Sequence, residues 1–351
     1  MTSAPPVGAS QWPAPNAGTT GSGLAILVNA NAKRGGRRVA VQIARALPGA
    51  RVRLTRTAAE IDSWLRTIPK ARAVLAAGGD GTAVSLINAL ARLTAGYDTG
   101  PTIGLLPVGT GNGWAHAVGA PKLHRCLELL AQAAGPLPTR RYGLLEVEGT
   151  LAHFAGSGWD AMILEDYKRQ LDASKGPGRR LSKSVYGYLT ATLLRTAPKV
   201  ALLGNPHLLI ENLGDEVFVV DREGKPRRLD GAGRGAVLYD APAGAVAAGT
   251  CPEFGYRFKA IPFAERMPGF ISVRAYDRSA LGAIASIPLL WKGTHPIGGM
   301  HDWLVTSVRL TFSRPVSLQV GGDAHGMRRT IEFRAADREV RMLDWRRLLC
   351  I

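Results

Sequence analysis

Apolar positions along the first third of the chain fall into two alternating rhythms. Leu24 to Asn29 is a short apolar run closing on Asn29-Ala30-Asn31; a basic turn, Lys33 to Arg38, and an apolar-periodic stretch to Leu47 follow, which predicts strand, loop and helix. Val52 to Thr55 reads as a second strand, Ala58 to Arg66 as a helix, and Ala73 to Ala77 as a buried third strand that breaks at Gly78. Val84 to Leu93 is again helical, Thr102 to Pro107 a strand and Leu123 to Ala134 a helix. Strands alternating with helices at this spacing predict an α/β unit, a doubly wound parallel sheet with helices on both faces.

The rhythm changes near Arg140. Leu144 to Val147 and Leu151 to Phe154 flank Glu148-Gly149-Thr150 as a hairpin, and one helical stretch, Ser182 to Thr196, precedes a series of strand-like runs. These are His207 to Glu211, Glu216 to Val220, Gly235 to Tyr239, Tyr256 to Ala260, Phe270 to Ala275, Ser307 to Phe312 and Ser317 to Val320. They predict a second unit that is mainly antiparallel β. The loop Lys168 to Lys183, with Lys175-Gly176-Pro177-Gly178-Arg179-Arg180, is expected to be exposed. No internal repeat is evident.

Composition narrows the class. At 351 residues, 46% hydrophobic and 20% charged, the chain has room for two cores and excludes a peptide hormone, a disulfide miniprotein and bulk disorder. A net charge of +17 calls for anionic partners: nucleotides, nucleic acid or an acidic lipid surface. The basic residues are dispersed and lack interleaved aromatics, which speaks against nucleic acid. Cys126, Cys251 and Cys350 have no metal-ligand spacing, so the expectation is a reducing compartment, the cytoplasm, and no zinc site. Residues 1–23 read as a disordered tail without a signal-peptide pattern. The longest apolar run, Leu281 to Trp291, is about half of the roughly 20 residues a spanning helix needs, so any membrane contact is expected to be peripheral.

Two glycine loops carry the chemistry. Ala76-Ala77-Gly78-Gly79-Asp80-Gly81-Thr82 lies between a buried strand and a helix, where glycines let the backbone approach a phosphate and the helix start offers free N–H groups. Pro107-Val108-Gly109-Thr110-Gly111-Asn112-Gly113 follows the next strand. In a doubly wound sheet, loops at the carboxyl ends of neighbouring strands face one crevice, so the two are expected to meet around one ligand. No acidic residue stands where a dinucleotide fold would hold a ribose, and there is no Gly-x-x-x-x-Gly-Lys-Ser/Thr loop.

In order and spacing, Asn29-Ala30-Asn31, Gly79-Asp80-Gly81-Thr82 and Pro107 to Asn112 resemble the catalytic domain of diacylglycerol kinase-type lipid kinases, a family that includes sphingosine and ceramide kinases and bacterial lipid kinases. The resemblance covers about residues 24 to 351. It implies an α/β nucleotide domain (24–139), a β-sandwich lipid-acceptor domain (140–312) and a C-terminal segment (313–351) returning to the first domain. It also implies ATP with Mg²⁺, a lipid acceptor at a membrane surface, and an oligomeric state left open, a homodimer being one alternative.

Carried over by position, Asn29, Asn31 and Thr55 would sit near the nucleotide, Gly79, Gly81 and Thr82 at the phosphates, and Gly109, Thr110, Gly111 and Asn112 beside the adenosine. Thr55 is equally readable as a structural strand-ending threonine. Ser157 and Asp160, in Gly156-Ser157-Gly158-Trp159-Asp160-Ala161, match the acceptor-lining segment; Asp160 is alternatively the cap of a helix over 161–171. His295, in Lys292-Gly293-Thr294-His295, falls at a family Gly-x-His turn or is a plain turn histidine.

Three departures stand out. The family's Asp-Gly-Glu reads Gly321-Gly322-Asp323 here, the acidic pair of many bacterial members reads Met267-Pro268, and Gly113 replaces an acid. Asp80 and Asp323 are thus the carboxylates that could take a hydroxyl proton or place the metal, with Asp80 ranked first. The expected reaction is transfer of the γ-phosphoryl group of ATP to a hydroxyl of diacylglycerol, a sphingoid base or ceramide. The alternatives are an NAD kinase-like enzyme, disfavoured by the second glycine loop, and a non-catalytic lipid-binding protein on the same fold.

Overall fold

Three strands without a polar face explain the centre of the first unit. β1 (Leu24–Asn29), β3 (Ala73–Gly78) and β4 (Thr102–Pro107) are apolar runs buried along nearly their whole length, as strands covered on both faces must be. β2 (Arg51–Thr55) alternates exposed and buried positions because it lies at the sheet edge. The computed structural model describes residues 23–32, 35–68, 71–93, 100–109, 112–133, 135–173, 202, 204–254 and 257–350.

The first sheet runs β2-β1-β3-β4-β18-β5. β1 to β4 are parallel, and β18 (Val340–Leu343), from the far end of the described chain, lies parallel to β4, with β5 (Thr139–Tyr142) antiparallel beyond it. The chain therefore returns to the first unit from Val340 on, whereas residues 313–320 and 323–335 of the expected C-terminal segment run in strands of the second sheet. Helices α1 (Gly36–Ala46), α2 (Ala58–Leu65), α3 (Asp80–Leu93), α4 (Gly113–Ala117) and α5 (Leu123–Gln132) connect or follow these strands. α2 opens on a capping box: Thr57 Oγ1 accepts from Glu60 N at 3.3 Å, and Glu60 Oε2 accepts from Arg56 N at 2.7 Å.

Among the described residues the second sheet has twelve strands, all paired antiparallel. β6 (Leu145–Val147) and β7 (Thr150–Ala152) form the expected hairpin, turning on Glu148 and Gly149 at φ 50° and 75°. β8 (Phe154–Gly158) leads into α6 (Trp159–Ala173). After β9 (His207–Asn212), β10 (Val217–Val220), β11 (Pro226–Arg228), β12 (Val237–Pro242), β13 (Ala245–Gly249) and β14 (Ile271–Tyr276) come α7 (Ala280–Lys292) and β15 (Met300–Val305). β16 (Ser307–Val320) and β17 (Asp323–Ala335) form a long hairpin, and α8 (Trp345–Leu349) follows β18.

Three further expectations change. The runs Ser307 to Phe312 and Ser317 to Val320 are one strand, β16, whose register shifts between Thr311 and Val316 around Pro315. A proline interrupts the ladder without ending the strand, and the two ends take different neighbours: Val308 to Phe312 pairs with β9, Leu318 to Val320 with β8. Residues 257–260 are not in a strand. Asp160 is not a cap, because α6 starts one residue earlier at Trp159. The apolar run around Leu281 is the helix α7, capped by Ser279 Oγ on Gly282 N and ended by Gly293 in the left-handed region. Among the described residues no helix is long and apolar enough to cross a membrane. The expected tail 1–22, the helix 182–196 and the basic positions Lys175, Arg179, Arg180 and Lys183 lie outside the described residues.

Candidate functional site

The carboxyl ends of β1, β2, β3 and β4 converge on one crevice. Asn29 and Thr55 are register partners at the ends of β1 and β2, and Asn29 Nδ2 donates to Thr82 Oγ1 at 3.0 Å. A cavity of about 310 Å³ opens there, lined by Asn29, Thr55, Arg56, Gly79, Gly81, Thr82, Ser85 and Asp323 among others. Thus five of the residues assigned to the nucleotide share one wall. Asn31 does not line it; its amide donates to Asn29 Oδ1 at 2.8 Å and so fixes the Asn29 side chain.

The two glycine loops touch backbone to backbone. Gly109 N donates to Gly78 O at 2.9 Å, and a Cβ on Gly109 would stand 2.7 Å from Gly79 N. Thr110 and Gly111 lie outside the described residues. Asn112 adopts φ 48°, in the left-handed region that asparagine tolerates, and its Nδ2 donates to Gly109 O at 2.9 Å. It gives α4 no side-chain cap.

Asp80 supplies that cap from the other loop. Its Oδ2 accepts from Gly113 N at 3.0 Å and its Oδ1 from Trp114 N at 3.1 Å. Burial pushes the carboxyl up to about 6, with the two amides pulling it back down. Gly113, where the resemblance led us to expect an acid, is buried against this contact. Asp80 therefore binds the second loop to the start of α3 and does not line the cavity.

Asp323 faces the cavity instead. It follows the two-residue turn Gly321-Gly322, both at positive φ (58° and 87°), which closes the β16–β17 hairpin with Val320 opposite Asp323. The turn lies against α3: Gly321 N donates to Phe154 O at 2.9 Å, and a Cβ on Gly321 would be 2.6 Å from Val84 Cγ2. This explains why the acid expected at this position is a glycine here. Asp323 Oδ2 sits 3.2 Å from where a Cβ on Gly81 would be, and Oδ1 pairs with Lys168 Nζ at 3.0 Å.

The acceptor-segment residues lie behind that turn. Ser157, on β8, is fully buried, and its Oγ has no hydrogen-bond partner among the described residues. Asp160 Oδ2 accepts from Gln319 Nε2 at 3.0 Å, and burial pushes its carboxyl up to about 6. A carboxyl raised above its ordinary 3.8 binds more protons folded than unfolded between those values, so its burial weakens the fold as pH rises through that window. Asp160→Asn abolishes this dependence: melting temperatures of wild type minus variant should decline from pH 4 to pH 7. His295 belongs elsewhere. Its Nε2 lies 2.8 Å from Asp221 O, and its Nδ1 is 3.8 Å from Asp302, which pairs with buried Arg274 at 2.7 Å.

Sequence reasoning missed Arg56, Ser85, Lys168 and Gln319. Arg56 directly follows the strand-ending Thr55, which is a positional signal; the others announce themselves only through the packing of α3, α6 and β16.

Residues 23–137 match the family model of the diacylglycerol kinase catalytic domain. A diacylglycerol kinase of Bacillus subtilis is 49% identical over 49 residues, 14% of this chain and 15% of that relative's length. A diacylglycerol kinase crystal structure from Bacillus anthracis superposes with a TM-score of 0.57 at 14% identity, covering 91% of this chain and 96% of that one. A second solved chain from the same strain gives a TM-score of 0.61 at 16% identity, with the same coverage. By sequence, residues 23–137 are similar to the diacylglycerol kinase catalytic domain, and through most of its length the chain has the fold of these two solved proteins.

Proposed function

We propose that the protein is an ATP-dependent lipid kinase that moves the γ-phosphoryl group to a hydroxyl of diacylglycerol, a sphingoid base or ceramide. The observation that carries the reading is the cavity in which Asn29, Thr55, Gly79, Gly81 and Thr82 meet one carboxylate, Asp323.

Phosphoryl transfer needs positioning and neutralisation of spread charge more than covalent chemistry from the protein. The backbone at the start of α3, where Gly79 and Gly81 line the cavity, would receive the phosphates at a helix N-terminus, and Arg56, on the cavity wall, would add a fixed positive charge. Asp323 takes the proton of the acceptor hydroxyl as its oxygen bonds to the γ-phosphorus and the bond to the β-phosphate oxygen breaks, releasing ADP. Asp80 keeps the two loops in register. Among the described residues no group of three His, Cys, Asp or Glu could hold a metal unaided. Mg²⁺ takes one or two carboxylates plus substrate phosphates, and Asp323, on the cavity wall, would be the carboxylate to hold it. Bound there, it would neutralise phosphate charge.

The test is transfer of labelled γ-phosphate to a lipid panel, with products identified by mass spectrometry. ATP binding without any lipid product would refute the reading. The first loop can be checked separately. Gly81→Ala places a methyl group beside Asp323 and over the phosphate-facing amides, so calorimetry should show ATP binding weakened by about tenfold or more, with the fold retained.

The site is proposed to work at the cytoplasmic face of a membrane, held peripherally. The +17 charge supports this, with each cation near an anionic surface contributing about 1 kcal/mol and salt screening it within roughly 8 Å. Co-sedimentation with liposomes should rise with anionic lipid and fall with salt; salt-independent binding, or none, would count against it.

A further inference from the structure

Asp160 and Asp323 stand on different elements, the first turn of α6 and the start of β17, and one side chain lies between them. Gln319 is buried, 3% exposed, on β16. Its Oε1 accepts from Gly322 N at 3.0 Å, and its Nε2 donates to Asp160 Oδ2 at 3.0 Å. The backbone N–H of Gly322 can only donate, which fixes which end of the amide is oxygen. The nitrogen must then face Asp160, and Asp160 must offer it an acceptor.

The surroundings make room for this contact. Gln319 is the register partner of Gly156 on β8. A Cβ on Gly156 would stand 3.0 Å from Gln319 Nε2 and run into Asp160 Oδ2. Gly156 thus leaves open the space in which the carboxylate and the amide meet. On the far side of the turn, Gly321 is held by Phe154 O and packs against Val84, and the Gln319 bond holds Gly322, the residue just before Asp323.

We propose that Gln319 is a positioning residue that ties Asp160 to the Gly321-Gly322 turn, so that the acceptor-side carboxylate and the cavity-facing Asp323 keep a fixed spacing. The inference rests on the functional reading above, in which Asp323 receives the proton of the acceptor hydroxyl, and on the match of Asp160 to the acceptor-lining segment. Gln319 touches neither reactant and acts through both.

Two variants separate this role from that of a merely well-packed glutamine. Gln319→Leu keeps much of the volume and removes both bonds. Hydrogen exchange at Gly322 should speed up by about tenfold or more as the turn frees itself. Lipid phosphorylation should lose about tenfold in kcat while KM for ATP stays near wild type, because the nucleotide wall is unchanged. Gln319→Glu sets two carboxylates face to face and should also loosen the turn.

Adding Asp160→Asn to Gln319→Glu restores one donor and one acceptor with their direction reversed, so Gly322 should regain its protection. Unchanged exchange in Gln319→Leu, or no recovery in the reversed pair, overturns the proposal. So does an equal loss on the ATP side. If the wild type phosphorylates no lipid, the functional reading fails, and the exchange measurements still decide whether Gln319 holds the turn.

Discussion

Asp323→Asn should lower the single-turnover rate of lipid phosphorylation by at least about 10²-fold, the lower range for a positioned acid or base, while leaving the melting temperature almost unchanged. The side chain is 61% exposed and its partner Lys168 41%, and an ion pair that open contributes about 0–1 kcal/mol to the fold. Asp80→Asn should behave in the opposite way. Its carboxylate accepts from two backbone amides, and an asparagine can satisfy only one of them; the stranded amide costs about 1–3 kcal/mol. Its activity should fall together with its stability. The comparison is decisive at saturating ATP and Mg²⁺: a variant at 323 that turns over normally, beside a stable but inactive variant at 80, would return the chemistry to Asp80.

The second large effect is expected at Gly109. A Cβ there meets backbone, not a side-chain end that could swing away, so the two glycine loops must separate. Separation breaks the Gly109 to Gly78 hydrogen bond and shifts the amides that face the phosphates. Overpacking of this kind costs about 1–3 kcal/mol, and if most of it falls on the bound state, ATP affinity drops by about 5- to 150-fold. Calorimetry on Gly109→Ala would show it. Binding within about threefold of wild type would mean that the loops have slack, and that their contact does not set the site.

What could be read in the sequence follows from how local its causes are. Strands β1, β3 and β4 announce themselves because burial on both faces leaves no polar position. The glycine loops do so because close backbone approach removes side chains. The single strand β16 was hidden by Pro315, whose missing N–H looks like an end but falls where the ladder shifts register. Asp80 was placed in the right loop, yet the amides its carboxylate would meet, 33 and 34 residues on, could not be foreseen. Asp323 looked displaced because the chain alone does not show Val84 occupying the space beside Gly321. Gln319 carries no signal at all, since its partners come from two other elements.

The place of β18 has a consequence for how the protein is made. The sheet that carries the glycine loops is finished by a strand that leaves the ribosome only after the entire antiparallel unit. Until then the outer side of β4, an apolar run, is an open edge of the sort that recruits strands from other chains. Nascent chains stalled within the second unit should therefore associate or engage chaperones through that edge. Residues 23–137 expressed alone should do the same, and a fragment supplying 340–343 in trans would be expected to relieve it. The half that carries the glycine loops is encoded first and completed last.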